Sequence, residues 1–275
     1  MVSSNVRPLG DSPDRSYAEK LERFARFVTP ELKLVLSDFA PQPGAVTLDL
    51  GCGTGVATRW LDEHRGSGYV VGLDLSLPHL RAARTRHARA LAQGDAGRLC
   101  FRASTFDFIW SCNTINHVAE PVDALRQMRA LLRVGGRVVL AQSGFLPEMF
   151  FAWDAPLDDA VRRACHDYYR ERYSLSPFDT AALRGLLQLL QGAGFRRGRV
   201  RTYAIERVQP LSAEDRAYFE TSIFAETWGA RLRPHLQPAE WDALQRYTDP
   251  RSPDYCLRRD DFHHLQTLTV CEGHA

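Results

Sequence analysis

The chain has 275 residues, 44% of them hydrophobic and 25% charged, which is the balance of a folded globular protein and excludes a disordered or fibrous chain. Its 35 basic and 33 acidic side chains leave a net charge of +2, so bulk electrostatics does not point to nucleic acid as a partner. No stretch reaches the ~18 uninterrupted apolar residues of a membrane helix, and the opening MVSSNVRPLGDSPDRS has no apolar core of a secretory leader.

A cytoplasmic protein with no membrane partner is therefore expected. The six cysteines (Cys52, Cys100, Cys112, Cys165, Cys256 and Cys271) form no CxxC pair, which excludes a zinc ribbon and fits reduced thiols. No metal site is expected. The arginine groups Arg81/Arg84/Arg86/Arg89 and Arg196/Arg197/Arg199/Arg201 read as solvated faces.

In chain order, residues 1–15 read as a polar tail. Apolar residues then recur at helical spacing from Ser16 to Phe39, and Pro30 divides them into two short helices. Together, 1–40 form a tail and a helical lid ahead of a domain over 41–275. Ala45–Leu50 reads as a strand running into Gly51-Cys-Gly-Thr-Gly55, and a helix follows through Leu61. Tyr69–Leu75 is a second strand and Pro78–Leu91 a second helix. Phe106–Ser111, a helix over Val122–Leu132, and Arg137–Ala141 follow. Strands alternating with helices of this length predict a doubly wound, mostly parallel α/β sheet of Rossmann-like type.

After Gln142 the alternation lapses. Inserts at about 143–180 and 211–258 are expected to form a cap, with helices near 181–191, 213–226 and 238–247. Val200–Val208 and Phe262–Cys271 predict two final strands with an antiparallel C-terminal edge strand; the element at Gln93–Ala96 makes it a seven-stranded sheet.

The informative stretch is Val46-Thr-Leu-Asp49-Leu-Gly51-Cys-Gly53-Thr-Gly55. A glycine-rich turn between strand and helix lets backbone N–H groups approach a ligand. The dinucleotide fingerprint G-x-G-x-x-G is not met, because the sixth position is Val56 counted from Gly51 and Thr58 counted from Gly53. G-x-G-x-G with an acid two residues ahead instead resembles motif I of the class I S-adenosylmethionine-dependent methyltransferases. Asp74 at the end of the second strand, Gln93-Gly94-Asp95-Ala96, Phe106–Ser111 followed by Asn116-His117-Val118, and Leu132–Leu140 with Gly135-Gly136 follow in the order of that family. The resemblance covers about 45–142 and is nearest to the small-molecule enzymes of the ubiquinone-biosynthesis type.

The resemblance implies S-adenosylmethionine as cofactor and S-adenosylhomocysteine as product. Asp49 would lie near the cofactor's amino group, and Gly51, Cys52, Gly53 and Gly55 along its methionine part. Asp74 and Leu75 would hold ribose and adenine, with Asp95 and Ala96 on adenine. Ser111 would face the reacting centre by its backbone, and Tyr17 would cover the cofactor. The implied activity is methyl transfer to an O, N or C atom of a small aromatic or hydrophobic metabolite.

A general base is needed only where the acceptor keeps its proton near neutral pH, as a phenol of pKa ~10 does. His117 and His166 are the candidate bases. Phe150, Trp153, Tyr168, Tyr169 and Trp228 are the candidate substrate contacts. His263 and His264 alternate along the last strand and so face opposite sides. His64, His79, His87, His235 and His274 read as surface residues. Two alternatives stay open: an S-adenosyl-binding protein with cyclase- or hydroxylase-like chemistry, and a methyltransferase acting on RNA or protein. A monomer or homodimer is expected, with no nucleic-acid partner.

Overall fold

The computed structural model describes residues 15–85, 90–144, 153–173 and 185–275. All but the last residue of the expected tail lies outside them, as does Phe150. The side chains of Tyr17 and Tyr169 also lie outside the described residues.

Helices α1 (Arg15–Phe27) and α2 (Thr29–Asp38) meet where expected, with Pro30 in the first turn of α2, a position that needs no N–H donor. Then follow β1 (Val46–Leu50), α3 (Val56–His64), β2 (Tyr69–Asp74), α4 (Leu77–Thr85), β3 (Ala90–Gln93), β4 (Phe106–Cys112), α5 (Pro121–Leu131) and β5 (Leu132–Ser143). The helix expected through Leu91 is a misreading at its end. Ala90 and Leu91 belong to β3, where they pair in parallel with Val71 and Gly72.

Beyond β5 come α6 (Ala155–Tyr173), α7 (Leu186–Gly192), β6 (Arg196–Val208), α8 (Pro238–Thr248) and β7 (His263–His274). Between β6 and α8, a short helix Ala213–Ala217 opens with a capping box at Ser212 and runs into a π-helix, Tyr218–Trp228. The sequence pattern had read this stretch as an ordinary helix. Its side chains from Tyr218 to Trp228 carry buried residues nearly all round, so periodicity gave no sign of the wider winding.

The seven strands lie in the order β3-β2-β1-β4-β5-β7-β6. Strands β1 to β5 are parallel, while β7 runs antiparallel between β5 and β6. The antiparallel pair therefore forms the expected edge, but the last strand of the chain takes the inner place and β6 the rim. Alternation along β5 separates two cores: Val139 and Ala141 join the layer of α1, α2, α6 and the inserts, and Val138 and Leu140 the layer of α5 and α7.

Buried ion pairs lock the N-terminal helices to the C-terminal strands. Arg137 on β5 donates to Glu272 on β7 at 2.6 Å and to the carbonyls of Phe39 and Ala40 just past α2. Arg207 on β6 donates to Glu31 of α2, to Asp215 and to the Phe27 carbonyl, with its guanidinium over the Phe27 ring. Removing one partner from such a cluster strands the others without compensation, at a cost of about 3–5 kcal/mol. Arg207→Met should accordingly lower the thermal midpoint by roughly 6–15 °C. A fall of under about 2 °C would mean that the cluster behaves as a solvated surface pair.

Candidate functional site

The site begins where β1 ends. Leu48 and Leu50 are fully buried, and Asp49 between them points out of the strand end, only 2% exposed. Its Oδ2 accepts from the Thr58 hydroxyl at 2.5 Å across the start of α3. Burial pushes the Asp49 carboxyl up to about 7; the Thr58 hydroxyl pulls it back, and the negative charge of Asp74 adds to the rise.

The turn after it needs its glycines for different reasons. Gly51 has φ +72°, and a Cβ there would lie 2.0 Å from the Thr114 hydroxyl. Gly55 has φ +80°, and its Cβ would lie 2.8 Å from that of Ala83, so it lets the start of α3 meet α4. The Gly51 and Cys52 amides donate to the Leu73 carbonyl of β2 at 2.8 and 2.9 Å. The Gly53 amide donates to Asp74 Oδ2 at 2.8 Å. Asp74 Oδ1 accepts from the Ser76 amide at 2.8 Å and from His79 Nδ1 at 3.1 Å.

A cavity of about 390 Å³ opens over this turn. It is lined by the acids Asp49, Asp74 and Asp95 with the Gly51–Gly53 turn and Ala96, and by the apolar side chains of Phe24, Val28, Leu32, Trp110, Ile205 and Leu268. Asn113, Thr114 and His117 lie along the walls too, and no lysine or arginine is among the described lining residues. Asp95 Oδ1 accepts the Gly97 amide at 2.7 Å, which fixes the carboxylate at the rim. Burial lowers the His117 imidazole to about 4, against the opposing pull of Asp74, so it is neutral at pH 7. Its Nδ1 is buried without a partner among the described residues.

Most of the sequence candidates meet here: Asp49, Gly51, Cys52, Gly53, Asp74, Leu75, Asp95, Ala96 and His117 all line the cavity. Gly55 is not among the described lining residues and serves helix packing instead. Neither is Ser111, whose hydroxyl donates to the Leu50 carbonyl at 3.1 Å, while its strand neighbours Trp110 and Cys112 do face the cavity. His166 is exposed on α6 and stands outside the cavity.

Of the described aromatic candidates, Trp153, Tyr168 and Trp228 are not among the residues lining this cavity. Trp153 and Trp228 pack at 5.4 Å between centroids, and Trp153 meets Tyr247 edge-on. Tyr168 packs on the His235 ring, with Arg231 above it. Sequence reasoning passed over His79, which it placed on the surface although the residue is only 6% exposed and lines the cavity. The available signal was its place in the first turn of the helix that follows Asp74. Ile205 and Leu268, from distant strands, carried no local signal.

The donor set fits an S-adenosyl compound. Its ammonium, ribose hydroxyls and adenine amine are all donors, and the cavity offers carboxylates to receive them. A cation is also better tolerated where no lysine or arginine stands nearby.

Residues 48–140 match the family model described as a methyltransferase domain. The malonyl-[acyl-carrier protein] O-methyltransferase of Pseudescherichia vulneris is 32% identical over 142 residues, which are 50% of this chain and 55% of that one. The demethylmenaquinone methyltransferase of Staphylococcus aureus (strain JH9) is 28% identical over 184 residues, 62% of this chain and 76% of that one. The chain thus spans little more than half the length of the first of these relatives. Among solved structures, an S-adenosylmethionine-dependent methyltransferase from Mesorhizobium loti aligns with TM-score 0.50 and 20% identity, covering 92% of this chain and 100% of that one. Phosphoethanolamine N-methyltransferase 2 of Haemonchus contortus aligns with TM-score 0.52 and 16% identity, covering 94% and 58%. These structures share the fold.

An ammonium placed beside Asp49 is held by the carboxylate form. As pH falls below about 7, Asp49 takes up a proton and that attraction is lost. Calorimetry should therefore show S-adenosylhomocysteine binding weaken by up to about tenfold per pH unit between 7 and 5.5. Asp49→Asn should bind weakly and without that slope. An equal slope in the variant would assign the titration to another group.

Proposed function

We propose that the chain, whose residues 48–140 match a methyltransferase-domain family model, is a class I S-adenosylmethionine-dependent methyltransferase that methylates a small, uncharged, ring-bearing metabolite held against the apolar wall of the cavity. The observation that carries this reading is the continuity of the cavity. One space is lined both by carboxylates, which match the cofactor's polar groups, and by the apolar side chains of Phe24, Trp110 and Leu268. The cofactor, when bound, supplies a methyl group already activated on a sulfonium. The protein therefore has to place the acceptor in line and keep water out.

The residues divide that work. Asp49 would receive the amino group, the turn from Gly51 to Gly53 would hold the methionine part, and Asp74 and Asp95 would take the ribose and adenine. Leu21 and Phe24 of α1 close the roof over the turn and shield it from water. His117, neutral at pH 7, presents an imidazole that can accept a hydrogen bond from an acceptor hydroxyl and orient its oxygen lone pair toward the methyl. An imidazole held so far below its ordinary value is a poor proton trap, so its contribution is alignment more than proton removal.

Of the two relatives, one carries a malonyl acceptor in its name and the other a demethylated menaquinone. A malonyl group ends in a carboxylate, which would need a cationic partner in an apolar chamber. The absence of lysine and arginine from the described lining supports the neutral ring instead.

Incubation with methyl-labelled S-adenosylmethionine and two acceptor sets, neutral quinols or phenols and acyl carboxylates, tests the reading by mass spectrometry. The neutral set should gain one labelled methyl group in place of a hydrogen, and His117→Phe should slow that gain by about 10–100-fold. Methylation of the carboxylate set alone would overturn the proposal.

A further inference from the structure

We propose that His79 is a positioning residue for cofactor binding: it holds the Asp74 carboxylate in the orientation that receives the ribose hydroxyls. The inference rests on the reading above, in which Asp74 is the ribose acid.

His79 stands in the first turn of α4, five residues beyond Asp74, and lines the same cavity. Its ring is 6% exposed, which is unusual for a histidine on a short helix at a cavity mouth. Nδ1 lies 3.1 Å from Asp74 Oδ1. An ionised carboxylate can only accept, so Nδ1 carries the proton and the contact fixes the tautomer of the ring.

The carboxylate has two other donors, both from backbone. The Ser76 amide reaches Oδ1 and the Gly53 amide reaches Oδ2. These amides tie Asp74 to the turn on one side and to the start of α4 on the other. With one amide on each oxygen they set the plane of the carboxylate, and the third donor, on Oδ1, makes that orientation costlier to leave. Oδ1 then has two donors and Oδ2 has one. The free acceptor capacity of the group is thereby concentrated on Oδ2, on the side of the glycine turn. A ribose hydroxyl is a directional donor, so a carboxylate fixed in advance binds it without a further loss of side-chain entropy. The ring also excludes water from Oδ1, which strengthens the bonds that Asp74 makes.

The chemistry locates the effect. Loss of His79 should weaken only ligands that use the ribose hydroxyls. Binding of S-adenosylhomocysteine and of its 2′,3′-dideoxy analogue is measured by calorimetry on wild type, His79→Phe and His79→Asn, with thermal unfolding alongside. Wild type should bind S-adenosylhomocysteine. His79→Phe keeps the ring and removes the donor; it should bind that ligand about tenfold more weakly and change the dideoxy analogue by less than about twofold. His79→Asn restores an N–H near the position of Nδ1 and should recover binding to within about threefold of wild type. If His79→Phe does not fold, His79→Leu carries the same comparison.

Equal weakening of both ligands, or unaltered binding in the donor-less variants, would overturn the inference while leaving the cofactor reading in place. Failure of wild type to bind S-adenosylhomocysteine would overturn both.

Discussion

The Asp74 carboxylate is the joint on which the site turns. It closes β2, receives the Gly53 amide from the turn after β1, and receives the Ser76 amide and the His79 ring from the beginning of α4. Three separate segments are thus oriented by one side chain that is itself largely buried. The arrangement depends on Gly51, because any side chain there would collide with Thr114 and push the turn away from Asp74. The turn also hangs from the Leu73 carbonyl by two amides, so its backbone is fixed before any ligand arrives.

Charge is distributed so that this joint can work. Acids line the cavity, and burial, with the charge of Asp74 adding to it, raises the Asp49 carboxyl to about 7. No arginine is among the described lining residues. Arg137 and Arg207 fasten β5 and β6 to the linker after α2 and to α2 itself, and Arg23 of α1 pairs with Glu226 of the π-helix. The N-terminal helices are thereby held over the cavity from outside, and their apolar faces are left to line it. Leu21, Phe24 and Val28 take that inner face at helical spacing.

The cradle was legible in the sequence because it is local. The glycine spacing after β1, the acid at the end of β2 and the Gly94-Asp95-Ala96 run each sit at the end of a single strand, and all reach the cavity. Placements that depend on distant packing left no such local mark. Gly55 looked like part of the cradle, but the tight approach of Ala83 on α4 is what requires it. The aromatic inserts looked like a substrate cover, yet Trp153, Trp228 and Tyr247 are consumed in packing the cap on itself. The apolar chamber is instead completed by Ile205 and Leu268, on β6 and β7, which meet only when the last strand inserts beside β5. His79 looked solvated because its burial comes from contact with Asp74 across a turn, which hydrophobic periodicity does not register.

The central claim is that this cradle recognises an S-adenosyl compound rather than a dinucleotide, on the strength of its glycine spacing and its row of carboxylates. Parallel calorimetric titrations of the wild-type protein with S-adenosylhomocysteine and with NAD address it most directly. Binding of the first at about micromolar affinity with no heat from the second is the predicted result. Preference for NAD, or no binding of S-adenosylhomocysteine, would contradict the account.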